Sequence, residues 1–126
     1  MERDLVIVAG FGFRAGASLS SLRDALARAC ADGAEPDVLT APADKIAPLR
    51  LLAQERQVPA VPVAGEALEA AATVTLSAAS LAARRTGSVA EASALAAAGP
   101  GARLLTARHI SSDRMATCAM AQGASS

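Results

Sequence analysis

The sequence predicts an α/β fold built on a mostly parallel mixed sheet of about five strands. Short apolar runs in the first half alternate with segments of helical periodicity, which is typical of parallel strands joined by crossover helices. Two further apolar runs, residues 103–107 and 114–121, close the chain, and the short polar segment between them indicates an antiparallel hairpin. The last strand is therefore expected to run against the others.

The first predicted strand is a continuous apolar run within residues 4–9, followed directly by glycines. A run without polar alternation indicates a strand buried on both faces, so we place it at the centre of the sheet. A helix follows, with Ser18 as its N-cap and Gly33 as its C-terminal cap. Its apolar positions recur at helical spacing: Leu19, Leu22, Leu26, Ala29 and Cys30.

The middle of the chain predicts two more strands and a helix between them. Residues 38–40 form a short strand, and Leu49, Leu52 and Ala53 mark one face of a helix that runs to about residue 56, its start bracketed by Pro42 and Pro48. Residues 58–63 form the next strand. Because Pro59 and Pro62 cannot donate to a ladder, this strand is expected at an edge of the sheet.

The second half predicts helices before the hairpin. Residues 66–72 indicate a short helix, residues 73–75 a Thr/Val stretch, and a further alanine-rich helix ends near residues 84–85, before a break at 86–87. Ser88 and Glu91 form a capping box that opens the next helix, and residues 99–101 (Gly-Pro-Gly) end it. His109 falls in the polar segment of the hairpin, residues 109–113.

Length and composition predict one cytoplasmic domain, residues 1–121, with a flexible tail at 122–126. Lysine plus arginine and aspartate plus glutamate number 12 each, and two phenylalanines are the only aromatic residues, which argues against nucleic-acid binding. No signal peptide or apolar membrane span is evident. Cys30 and Cys118 are interpreted as buried, reduced residues. A single histidine and two distant cysteines predict no metal site, and no cofactor is expected.

The glycine-rich segment after the first strand is the strongest candidate site. As a loop between strand and helix, it would direct backbone N–H groups and a helix dipole at an anion. The predicted binding set here is Gly10, Phe11, Gly12, Phe13, Arg14 and Gly16. Arg14 adds a donor fork that suits a carboxylate or phosphate. The alternative is a tight turn with a solvated Arg14. A nucleotide is disfavoured, since the P-loop lysine and an acid closing the second strand are both missing.

Other candidates lie near the same edge. Lys45 follows the second strand, and Gly87 and Ser88 precede a helix, so together they are expected to form a polar rim. The alternatives are a solvated lysine and a serine that only caps its helix. Lys45 and His109 are the weak catalytic candidates. For His109, a surface turn residue is favoured over a general base, because a base needs a positioned partner.

Four motifs, read in order, resemble one family. They are residues 6–18 (VIVAGFGFRAGAS), Lys45 before a leucine-rich helix, residues 87–92 (GSVAEA), and residues 104–108 (LLTAR) with the strand that follows. The chain is similar to the CobE protein and to the C-terminal domain of the CbiG protein, and the stand-alone CobE form is expected. The resemblance implies a three-layer α/β/α domain that acts on corrin-ring intermediates in the ring-contraction part of cobalamin biosynthesis.

These intermediates carry acetate and propionate groups around an apolar macrocycle. The resemblance therefore implies that Arg14 and Lys45 bind carboxylates, while Phe11 or Phe13 contacts the ring. Two departures argue against inherited catalysis: residues 46–48 (Ile-Ala-Pro) replace an acidic position, and Arg108 stands where the family has lysine. A binding or handling protein for a precorrin or corrin intermediate is favoured. A lactone hydrolase that releases acetaldehyde and an assembly factor for another pathway enzyme stay open, as does the choice between monomer and homodimer.

Overall fold

The computed structural model describes residues 6–30, 33, 35–70, 88–99 and 101–123. The elements in chain order are β1 (Ile7–Phe13), α1 (Leu19–Ala29), β2 (Val38–Pro42), a 3₁₀ turn (Ala43–Lys45), α2 (Ile46–Arg56), β3 (Ala60–Val63), α3 (Gly65–Ala70), α4 (Val89–Ala98), β4 (Arg103–Ile110) and β5 (Ala116–Gln122). The elements predicted at 71–87 lie outside the described residues. No helix within the described ranges has the length and apolar character needed to cross a bilayer.

The five described strands form one mixed sheet in the order β3-β2-β1-β5-β4. β1 pairs in parallel with β2, and β2 with β3, whereas β5 is antiparallel to both of its neighbours, β1 and β4. Only β5 therefore runs against the others, as the sequence predicts. β1 is central, and the strand that carries Pro62 lies at an edge, where a missing N–H costs no ladder bond.

Helices cover both faces of this sheet. On one face Ala9 and Phe11 of β1 pack in a core with residues of α1 and α2. The successive side chains of a strand point to opposite faces, so Gly10 lies on the other face, against α4. There a smaller cluster, centred on Val63, Leu68 and Ala92, joins β3, α3 and α4. The architecture is the expected three-layer α/β/α.

Gly10 allows α4 to lie unusually close to β1. A Cβ on Gly10 would overlap the backbone oxygen of Ala90 and the backbone nitrogen of Ala94. The glycine is therefore required by helix packing, and β1 continues through it to Phe13. The prediction that a loop begins at Gly10 is wrong. The loop between β1 and α1 is limited to residues 14–18.

The predicted helix caps are largely confirmed. Ser18 caps α1, its Oγ accepting from the Ser21 N–H at 3.1 Å. α1 ends at its C-cap, Cys30, rather than at Gly33. Ser88 Oγ accepts from the Glu91 N–H at 3.3 Å, which is half of the predicted capping box. The Glu91 carboxylate instead accepts a hydrogen bond from a backbone N–H of β4, so it connects α4 to the sheet.

The C-terminal hairpin turns later than predicted. β4 extends through His109, which pairs with Cys118 of β5, so this histidine lies in a strand and not in the turn. The turn comprises residues 111–115, and Arg114, expected to open the last strand, belongs to it. Gln122 ends β5, and the Gly123 N–H donates to the Val6 oxygen at 2.9 Å. β5 therefore extends one residue beyond the predicted domain boundary at 121.

The β4–β5 turn, residues 111–115, is hydrogen-bonded to α1. The Asp113 carboxylate accepts from Ser21 Oγ of α1 at 2.5 Å and from Ser111 Oγ at 2.6 Å. The Ser112 N–H donates to the Asp24 carboxylate of α1 at 2.6 Å. The hydrogen bonds from Ser111 and then Ser21 lower the pKa of Asp113, and those from the Ser112 N–H and then Arg28 lower the pKa of Asp24.

We expect Gly10→Ala to destabilise the fold by about 1–3 kcal/mol, because the added methyl group must displace the backbone of α4. Urea unfolding followed by far-UV circular dichroism measures this change. Gly65→Ala is the matched control: no heavy atom of the described residues lies within 4 Å of its added methyl, so its stability should change by no more than about 0.5 kcal/mol. Equal stability of the two variants would contradict the close packing of α4.

We expect the Asp113 carboxylate to stabilise the fold in a pH-dependent way. Its folded pKa is lowered, so its contribution is complete above the unfolded value of about 3.9 and is lost as the pH falls through the folded pKa. The melting temperature of Asp113→Asn should therefore decline less steeply than that of the wild type from about pH 5 to pH 2.

Two serine variants test whether this acid sensitivity comes from the bond to α1. Ser21→Ala removes a donor to Asp113 and should make the acid decline shallower. Ser20→Ala removes an exposed hydroxyl from the same helix and should leave it unchanged. Identical acid profiles for the wild type and Asp113→Asn would contradict a special role for this carboxylate.

Candidate ligand site at the carboxyl edge of the sheet

The carboxyl edge of the sheet brings three segments together. β1 ends at Phe13 and leads into the loop at residues 14–18. β2 ends at Pro42 and leads into the 3₁₀ turn that carries Lys45. Because β5 is antiparallel, it begins at this same edge, where Ala116 pairs with Phe13. We call Phe13, Arg14, Gly16, Lys45 and Met115 the carboxyl-edge site.

Arg14 is held by its backbone while its side chain is exposed. Its N–H donates to the Met115 oxygen at 2.9 Å, which extends the pairing of β1 with β5 by one step. Its carbonyl accepts from the Ala17 N–H at 3.0 Å, which tightens the loop. Its guanidinium has no hydrogen-bond or ion-pair partner among the described residues. The loop therefore fixes the base of the side chain and leaves a full donor fork available to an anion.

Lys45 is not an ordinary solvated lysine. Its side chain is half-buried, and its Nζ donates to the Phe13 oxygen at 3.0 Å. The same Nζ lies 5.4 Å from the centroid of the Phe13 ring, within the range of a cation–π contact. An ammonium group has three donors, and this contact uses one of them. The positive charge of Lys45 is thus held at the end of β1, beside Phe13, which precedes Arg14 in the chain.

Met115 supplies apolar surface at the same edge. Its side chain is half-buried, and its Cε lies 3.3 Å from the position of a Cβ built on Gly16. The thioether therefore lies over the glycine of the loop. Thioethers are polarisable and adapt to irregular surfaces, including the faces of flat rings. Together with the half-buried Phe13, Met115 adds apolar surface to the edge that carries Arg14 and Lys45.

Several predicted residues lie elsewhere, which corrects the predicted set. Phe11 is 0% exposed in the core, so its ring is unavailable to a ligand. Gly10 and Gly12 are buried within β1, where they pair with β5. Ser88 is 1% exposed and caps α4, as the simpler interpretation predicts. Gly87 lies outside the described residues.

His109 is not brought to Lys45. Its Nε2 lies 2.8 Å from the Thr106 hydroxyl on the same strand, β4. β5 separates β4 from β1, and two strand spacings correspond to roughly 10 Å. The two weak catalytic candidates therefore do not form a pair at this edge.

Two residues of the β4–β5 turn escaped the sequence prediction. Met115 contacts the loop after β1, and Arg114 is the residue before Met115. Both are predicted, from the sequence, to lie in the last strand. A signal was available, because Ser and Asp bind backbone groups in turns. The Ser111 and Asp113 side chains do this by accepting the Met115 N–H, at 3.2 and 3.1 Å. These hydrogen bonds extend the predicted turn, residues 109–113, as far as Met115.

Comparisons with known proteins identify the family. A family model described as "Cobalamin synthesis G C-terminus" matches residues 7–121. The solved structure of CobE, a protein from the cobalamin (vitamin B12) biosynthetic pathway, has a TM-score of 0.86 and 31% identity, covering 100% of this chain and 96% of that one. The cobalamin biosynthesis protein chiG from Agrobacterium tumefaciens str. C58 has a TM-score of 0.67 and 35% identity, covering 92% of this chain and 97% of that one.

A search of curated proteins finds no match. The family match nevertheless covers most of the sequence, and both solved structures align over nearly their whole length. The resemblance inferred from the four motifs is thereby confirmed, together with the α/β fold. The chain belongs to the cobalamin biosynthesis family whose model is described as "Cobalamin synthesis G C-terminus", and it has the fold of CobE.

Proposed function

We propose that this protein binds a corrin-ring intermediate at the carboxyl-edge site and holds it without converting it. The observation that carries the proposal is the placement of two basic residues at the end of one strand: Arg14, whose exposed guanidinium has no partner among the described residues, and Lys45, whose ammonium is anchored on Phe13. Family membership supplies the class of ligand, because the matching proteins are named for cobalamin biosynthesis.

The chemistry of such intermediates fits these groups. They are apolar macrocycles whose acetate and propionate side chains carry negative charge. The Arg14 fork suits bidentate binding of one carboxylate, and Lys45 adds a point charge nearby. Hydrogen bonds to charged groups contribute about 1.5–3 kcal/mol each, so a single contact of this kind is measurable. Phe13 and Met115 offer the apolar surface that the ring requires.

Holding is favoured over hydrolysis by the types of group at the edge. Opening a lactone with water needs a positioned general base. The carboxyl-edge site itself consists of cationic donors, apolar side chains and a glycine. Of the acids nearby, Asp113 accepts hydrogen bonds from Ser21 and Ser111, and Asp44 is also engaged in an interaction. His109 lies two strands from β1. Cationic donors bind carboxylates in the ground state, as expected of a protein that receives and passes on an intermediate.

We expect the wild type to bind hydrogenobyrinic acid, a metal-free corrin, saturably, and Arg14→Ala to bind it about tenfold more weakly, a change of about 1.4 kcal/mol. Titration followed by the visible spectrum of the pigment measures both. Arg103→Ala is the matched control, since it removes the same charge at the opposite edge, where Arg103 bonds to Gln122 at 3.1 Å. Its affinity should equal that of the wild type.

Three outcomes would contradict the proposal. Absence of binding by the wild type would remove this ligand class. Equal weakening by Arg14→Ala and Arg103→Ala would indicate general attraction by positive charge and no defined site. Release of acetaldehyde on incubation with a lactone-containing precorrin would show conversion, the behaviour of a hydrolase.

A further inference from the structure

Arg114 in the β4–β5 turn has an uncommon backbone conformation. Its φ is 61°, in the left-handed region that favours glycine or asparagine over a residue with a long side chain. Gln57, the C-cap of α2, is the other described non-glycine residue with positive φ. Such conformations persist only where surrounding contacts over-determine them, and they concentrate at binding sites.

The contacts that hold Arg114 in this conformation lie within the turn and on α1. The Arg114 N–H donates to the Ser111 oxygen at 2.9 Å, and the Ser111 N–H donates to the Ala116 oxygen at 2.8 Å. Asp113, the preceding residue, is fixed to Ser21 of α1 at 2.5 Å. Glycine at position 114 would satisfy the same backbone bonds without strain, so the turn itself gives no reason for arginine.

The position of Arg114 relative to Arg14 supplies a reason. Arg14 bonds to Met115 across the extended β1–β5 pairing, and Arg114 is the next residue along the turn. Both arginines are exposed, and the guanidinium of Arg114, like that of Arg14, has no partner in the part of the chain that the structure describes. Both arginines are therefore attached next to Met115, Arg14 through its backbone hydrogen bond and Arg114 as the preceding residue in the chain.

The acidic neighbour of Arg114 is already engaged. The Asp113 carboxylate accepts hydrogen bonds from Ser21, Ser111 and the Met115 N–H, and it is directed at α1 and the interior of the turn. These bonds hold the turn and the start of α1 together. The loop that carries Arg14 leads directly into α1, so the backbone at both arginines is held in place by the start of this helix. A backbone that is already ordered loses less conformational entropy when a ligand binds.

We propose that Arg114 and Met115 form the second half of the ligand site. Arg114 binds a second carboxylate of the ligand, while Met115 contacts the apolar ring between the two arginines. This inference rests on the proposed function and makes it more specific. The ligand is an apolar ring with at least two peripheral carboxylates that bind simultaneously, one on each side of Met115.

Arg114→Gly tests the proposal, because it removes the guanidinium and also the backbone strain. We expect a melting temperature equal to or above that of the wild type, together with about tenfold weaker binding of hydrogenobyrinic acid. Log Kd should also rise less steeply with log salt concentration, since one charge contact is lost. Gln57→Gly is the matched control: it relieves strain at the end of α2, so its melting temperature should not fall and its affinity should not change.

The outcomes separate this inference from the function on which it rests. If the wild type binds no pigment, both are overturned. If the wild type binds, Arg14→Ala weakens binding and Arg114→Gly does not, the second half of the site is overturned and the proposed function stands. Should Arg114→Gly melt lower than the wild type, Arg114→Lys decides. Arg114→Lys retains the positive charge, so we expect it to bind hydrogenobyrinic acid more tightly than Arg114→Gly does. Equally weak binding by the two variants would overturn the role of the charge at position 114.

Discussion

The contact between Gly10 of β1 and the backbone of α4 constrains the rest of this fold. No side chain fits between the strand and the helix, so α4 lies directly on the central strand. From that position the Glu91 carboxylate in its first turn accepts the Arg108 N–H of β4 at 3.0 Å. One helix therefore connects the centre of the sheet to its far edge. On the opposite face, Phe11 packs against α1 and α2, so β1 is fixed from both sides.

The antiparallel strand β5 determines what lies beside the end of β1. In a wholly parallel sheet, the neighbour of Phe13 would be the end of another strand leading into a crossover. Here the neighbour is the start of β5, and the tight turn before it brings Arg114 and Met115 alongside Arg14. The hydrogen bond from Ser21 to Asp113 then holds this turn on α1. The candidate site is a consequence of one strand direction and one side-chain contact.

Much of the fold could be predicted because its signals are local. The prolines at 59 and 62 exclude a central strand, the apolar run before Gly10 indicates a buried one, and Ser18 and Ser88 cap helices through residues three positions away. Each of these inferences depends only on neighbours in the chain. The central position of β1, the edge position of β3 and the N-caps Ser18 and Ser88 are accordingly confirmed.

The errors concern residues whose partners are distant in sequence. A glycine after an apolar run can begin a loop or allow a helix to pack closely on the strand. Only the position of α4 shows that Gly10 has the second role. The Glu91 side chain could return to its own cap, but it accepts from β4. The conformation of Arg114 depends on a turn that is held by α1. Arg14 and Lys45 lie at the carboxyl edge, where the sequence predicts them, whereas Arg114 and Met115 of the turn were missed. That these residues bind a ligand stays a prediction.

A crystal structure of the complex with hydrogenobyrinic acid would show directly whether the carboxyl-edge site binds the pigment. We expect the pigment at the carboxyl edge, with one of its carboxylates about 2.7–2.9 Å from the Arg14 guanidinium nitrogens. Its ring should lie against Met115 and extend toward Arg114. A pigment bound along the outer edge of β4, or at the amino edge near Arg103, with Arg14 left in solvent, would rule out the carboxyl-edge site.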